Sequence, residues 1–124
     1  MCARSYVKER PLKLELSGFD NSVEIDIFCY NKIDVGIVYG DESISIGCRE
    51  ENPIGNSKEL KGTTITFCCT VNNPFEREIK VKHIIREKGG NTKTYTFPGD
   101  YDGTPQFEND NGKTCYYEFQ VKFE

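Results

Sequence analysis

The strongest constraint on this chain is a two-residue alternation of apolar and polar side chains, repeated along its length with cysteines held in phase. Successive side chains of a strand point to opposite faces, so this period describes strands with one face turned to a core. Leu12, Leu14 and Leu16 alternate with Lys13 and Glu15. Val23, Ile25, Ile27 and Cys29 alternate with Glu24, Asp26 and Phe28. Ile33, Val35, Ile37 and Tyr39 suggest a third strand, and Ile44, Ile46 and Cys48 a fourth. Ile65, Phe67, Cys69 and Val71 alternate with threonines and Cys68. Ile79, Val81, His83 and Ile85 follow, then Thr94 to Phe97, and Cys115, Tyr117, Phe119, Val121 and Phe123 close the series. No helical period competes with these runs.

Turn-rich gaps separate the runs. Residues 49–62 read as a polar loop broken by Pro53 and Gly55, Gly89-Gly90-Asn91 as a hairpin turn, and 98–113 as a long acidic loop. About eight strands, each with one buried face, predict an all-β, single-domain antiparallel β-sandwich spanning residues 1–124. A chain of this length buries about two-thirds of its extended surface, enough for a real core. With no tryptophan, Phe and Tyr are the bulky fillers.

The cysteines narrow the picture. Six in 124 residues favour an oxidising compartment and a disulfide-stabilised, secreted domain. Cys29, Cys48, Cys69 and Cys115 share the inward phase of their runs, and Cys68 points the other way. These four allow three pairings, of which Cys69–Cys115 with Cys29–Cys48 is the first choice. Cys2 with Cys68 then staples the N-terminal segment to the outside of a sheet.

A net charge of −4 argues against nucleic acid as a partner. No stretch approaches the ~18 apolar residues of a membrane span. Met1-Cys2-Ala3-Arg4 runs directly into polar sequence, so no signal peptide is read here. The single histidine, His83, excludes two-histidine mechanisms and sits in the inward phase of its strand, where a structural role is expected. None of the six serines lies in a G-x-S-x-G setting, and Cys68 alone faces outward as a candidate nucleophile. No C-x₂-C pair marks a zinc site. The chain therefore reads as a non-enzyme with no cofactor.

Two local signals point to binding. The segment 98–113 carries Asp100, Asp102, Glu108 and Asp110 with no base before Lys113. Calcium takes six to eight oxygen ligands, which these carboxylates, Asn109, Asn111 and loop carbonyls can offer. The pattern D-Y-D followed by N-D-N-G-K resembles the third calcium loop of C2 domains, which implies a C2-like sandwich with calcium-dependent membrane or ligand binding. In the same way GTTITFCCTV and, 46 positions on from Cys69 to Cys115, NDNGKTCYYEF resemble the B and F strands of immunoglobulin domains. That likeness implies an Ig-like architecture with Cys69–Cys115 as its bridge. The family's core tryptophan is absent, and Lys113 stands where its corner tyrosine belongs.

Lys80, Lys82, Arg86 and Lys88 form a basic stripe on one face of the 78–88 run, interrupted by Ile84. Such a stripe suits a sulfated glycan or acidic partner, but lysines on a strand more often protect a sheet edge. By subtraction the expected function is a secreted binding module, of the kind a host-targeted effector uses, that recognises a protein or glycan through loops 49–62 and 98–113. The alternative is a calcium-dependent β-sandwich acting through the acidic loop.

Overall fold

The computed structural model describes residues 5–29, 35–39, 42–45, 50–71, 80–101 and 115–124. Among them ten strands and one short helix follow in the order β1 (Ser5–Val7), β2 (Leu12–Leu14), β3 (Ser22–Cys29), β4 (Val35–Tyr39), β5 (Glu42–Ser45), β6 (Asn52–Asn56), α1 (Ser57–Leu60), β7 (Thr64–Val71), β8 (Val81–Glu87), β9 (Thr92–Phe97) and β10 (Cys115–Phe123). Each alternating run contains a strand; Leu16 falls after β2, and Ile33, Ile46, Cys48 and Ile79 lie outside the described residues. The run expected as the polar loop 49–62 instead contains β6 and α1. Pro53 does not forbid this, because β6 pairs only with β3, and an edge strand tolerates a residue without an N–H. Asn56 then caps α1, its side-chain oxygen accepting from the Lys58 N–H at 3.1 Å.

The strands make two sheets. One is antiparallel throughout, in the order β6-β3-β8-β9. The other runs β1-β10-β7-β4-β5 with β2 also on β10, and it is mixed, because β1 and β2 lie parallel to β10. The expectation of a wholly antiparallel fold is corrected here. β10 offers one long edge, and the N-terminal segment follows it in the same direction, pairing first at Tyr116–Glu118 and again at Val121–Phe123. Between the two contacts the segment spends more residues than β10 does, around Pro11.

The inner faces share one core. Val23, Ile25 and Ile27 of β3 and Val81 and Ile85 of β8 are buried with Phe67, Tyr117, Phe119, Val121 and Phe123 from the other sheet. Aromatic rings fill the gap: Phe97 stacks on Tyr117 at 4.0 Å between centroids, and Phe67 on Phe119 at 5.0 Å. The hairpin between β8 and β9 turns at Gly89, whose φ of 77° is a left-handed conformation that glycine adopts without strain.

The cysteine pairing departs from expectation. Cys69 is buried and Cys68 exposed, as strand phase requires, but both are free thiols. Register explains why Cys69 does not reach Cys115: across β7 and β10, Cys69 faces Tyr117 while Cys115 faces Val71. Residues two apart across a ladder sit about 7–8 Å away, beyond the usual Cα reach of a disulfide. The expected Cys69–Cys115 and Cys2–Cys68 bridges are therefore not formed. Cys29, half-buried at the end of β3, is disulfide-bonded. Cys2, Cys48 and the Cys115 side chain fall outside the residues whose side chains are described.

Candidate functional site

On the outer face of the antiparallel sheet, Glu24 of β3 stands opposite Arg86 of β8, Asp26 opposite Ile84, and Phe28 opposite Lys82. The Arg86 guanidinium donates to Asp26 and lies 3.4 Å from Glu24. Burial acts to raise the Asp26 carboxyl, but bonds from Arg86 and from the Glu51 N–H, with the Arg86 charge, hold it below its ordinary value. The basic stripe is thus broken in its middle by acidic neighbours. Its reading as a protected edge is also corrected, since β8 has β3 on one side and β9 on the other. Lys80 and Lys88 are exposed and Lys82 half-buried.

The outer face of the mixed sheet carries Glu118 and Lys122 of β10, with Lys13 of β2 beside Lys122. Thr64 and Cys68 are exposed on β7, with Tyr116 on β10 and Val7 on β1. Gln120 donates to Thr66 across the strands at 3.2 Å. Burial first, and then the charge of Glu118 directly opposite, push the Cys68 thiol up. A thiolate there is disfavoured.

Between the sheets lies a chain of polar atoms. The His83 Nδ1 is 2.9 Å from the Tyr95 carbonyl oxygen and its Nε2 2.8 Å from the Tyr117 hydroxyl, which is also bonded to Cys69. His83 is fully buried. Burial lowers its pKa to about 4, more than the Tyr95 carbonyl raises it. It has no open side toward a substrate, so the structural role expected of it is the one the geometry gives.

The acidic loop is described only at its start. Asp100 Oδ2 accepts the Thr96 N–H at 2.7 Å, while the Asp100 N–H bonds the Thr96 carbonyl, so this carboxylate closes the turn after β9. Tyr101 beyond it packs on Tyr6 and Phe97. Asp102, Glu108 and Asp110 lie outside the described residues. Among the described residues no group of three or more His, Cys, Asp or Glu side chains is placed to hold a metal ion.

Sequence reasoning missed the most organised feature, the loop 17–21. Glu87, at the end of β8, is buried and accepts from the Ser17 N–H at 2.7 Å, from the Ser17 hydroxyl, from Asn21 Nδ2 at 2.8 Å and from Ser57. Burial acts to raise this carboxyl, but the four donors outweigh it and hold its pKa at about 2. The Gly18 N–H bonds Ser57 Oγ at 2.9 Å, the Phe19 N–H bonds Ser17 Oγ at 3.1 Å, and the Asn21 N–H bonds the Phe19 carbonyl at 2.9 Å. Gly18 turns the chain at a φ of 82°, a position closed to most side chains. At the apex Phe19 is 73% exposed, the most exposed large hydrophobic side chain among the described residues. The signal was available: Glu87 continues the inward series of 81, 83 and 85, and a carboxylate in that phase needs donors.

No known protein family, curated protein or solved structure matches this chain.

Proposed function

We propose that this chain is a secreted, non-enzymatic binding module of disulfide-stabilised sandwich architecture that recognises a protein or glycan partner, with Phe19 as its anchor. The carrying observation is the pairing of an exposed Phe19 with a loop whose Ser17 and Gly18 amides are bonded to the buried Glu87 and Ser57. A single exposed apolar residue is ordinary. An aromatic ring carried into water by a loop whose backbone is bonded to the core is a different case. It loses little conformational freedom on docking, and its burial contributes about 2–3 kcal/mol. A ring without a hydrogen-bonding group fits an apolar pocket, which favours a protein partner over a glycan. The six cysteines and the bonded state of Cys29 support an oxidising compartment.

Calcium-dependent binding has less support, because Asp100 already commits one oxygen to Thr96. The test is a binding screen of the whole chain and of Phe19→Ala against immobilised extracellular proteins and glycan arrays. The expected result is a protein partner bound at least tenfold more weakly by Phe19→Ala, about 1.4 kcal/mol. A partner held equally well by both proteins removes Phe19 from the account. A hydrolytic activity lost in a folded His83→Ala variant removes the binding-module reading itself.

A further inference from the structure

The protons of the buried chain can be assigned from chemistry alone. A carbonyl oxygen only accepts, so the 2.9 Å contact to Tyr95 requires a proton on His83 Nδ1. In the neutral ring Nε2 then accepts, and the Tyr117 hydroxyl must donate to it at 2.8 Å. That hydroxyl has spent its one proton, so it takes the bond from the Cys69 thiol. The chain therefore runs one way, from Cys69 S–H to Tyr117 O–H to His83, and from His83 Nδ1–H to the Tyr95 carbonyl. It joins β7 and β10 of one sheet to β8 and β9 of the other.

We infer that His83, Tyr117 and Cys69 form an acid-sensitive latch between the two sheets, whose opening, parting β8 from β10 and baring the Cys69 thiol, becomes more frequent in mild acid while the closed state stays dominant to about pH 5. A second proton on the ring turns Nε2 into a donor. Tyr117 must then swing its hydrogen to the Cys69 sulfur, and the thiol proton loses its acceptor. Among the described residues, the surroundings offer the imidazolium no counter-charge. Tyr95 of β9, Tyr117 of β10 and Cys69 of β7 are the titratable groups facing it, all neutral, and burial raises the last two further. β3 presents Ile27 opposite the ring, and Phe119 packs on it at 4.9 Å. The carboxylate in phase on β8 is Glu87, four residues and roughly 13 Å along the strand, and it is committed to Ser17, Asn21 and Ser57. Water between the sheets is the way to solvate the new charge. With about 4 in the closed state and 6.5 in the open one, the opening equilibrium rises about 30-fold between pH 7.5 and pH 5.

The test needs no ligand. Because the chain holds one histidine, a ¹⁵N spectrum of the whole protein shows a single ring. The expected result is the Nδ1–H tautomer, persisting down to about pH 5. The other tautomer, or ordinary titration near 6.5, overturns the latch. In a Cys68→Ser background, labelling of Cys69 by dithiodipyridine, which reacts in acid, is read by peptide mapping and scaled to the rate in denaturant. It should accelerate about 30-fold between pH 7.5 and pH 5, and His83→Phe should abolish the acceleration. Unchanged labelling in acid, or equal acceleration in folded His83→Phe, contradicts the proposal. If that variant does not fold, the tautomer and the Cys68→Ser labelling still decide it.

Discussion

His83 and Glu87 sit four residues apart on the inward side of one strand, and the fold treats the two buried polar groups in opposite ways. At Glu87, on the rim, the charge is kept, and four donors from the 17–21 loop and the start of α1 surround it. At His83, in the middle, the charge is refused, and two hydrogen bonds serve a neutral ring. Position accounts for the difference. A strand end lies beside loops, whose backbone N–H groups and hydroxyls are available, whereas the centre of a sheet faces only side chains from the opposite layer. The rim group can therefore organise a loop. The central group can only fasten the layers together.

Removing the carboxylate should have the largest effect. Glu87→Ala leaves the Ser17, Asn21 and Ser57 donors without their acceptor and is expected to cost about 3–4 kcal/mol, read as a fall in denaturation midpoint. Glu87→Gln, which keeps an acceptor oxygen, should cost less. Equal losses in both variants would show that packing, not charge, matters at the rim.

Acid should separate the two groups by window. Both have folded pKa values below their unfolded ones, so both lose stability as pH falls. For His83 the contribution is complete above 6.5 and disappears toward about 4, close to 3 kcal/mol in all. For Glu87 it is complete above 4.5 and disappears toward about 2; allowing for water at the strand end, it amounts to about 2 kcal/mol. Stability measured against pH should therefore fall in two steps, the upper absent in His83→Phe and the lower absent in Glu87→Gln. One merged step lost in either variant would mean the groups are coupled, contrary to the separation drawn here.

Smaller effects mark the outer limit of the comparison. Arg86→Ala removes a half-exposed partner of Asp26 and should cost about 1 kcal/mol, because water screens that face. Phe19→Ala should alter stability by less than about 0.5 kcal/mol, since the ring it removes is largely in solvent. A larger loss would place Phe19 in the packing and weaken its role as an anchor.

The sequence revealed faces better than neighbours. Alternation located the long strands and placed Cys69 and His83 inward, because side-chain phase is a local property of the chain. It did not give register, so Cys69 was matched with Cys115 although its partner across the ladder is Tyr117. β1 and β6 were missed for a related reason. Three residues, or five with a single isoleucine, carry no period of their own, and β10 and β3 impose their structure. The inward series on β8 was ended at Ile85, since Glu87 looks polar and its donors lie 30 to 70 residues away in sequence. Long-range polar satisfaction leaves little trace in local pattern.

The account rests most heavily on the 17–21 loop being ordered before any partner arrives. Amide hydrogen exchange tests this directly on the free protein. The Ser17 and Gly18 amides, bonded to Glu87 and Ser57, should exchange as slowly as those at the ends of β3 and β8 and should lose that protection in Glu87→Ala. Exchange at the rate of an unstructured peptide in the unmodified chain would contradict it.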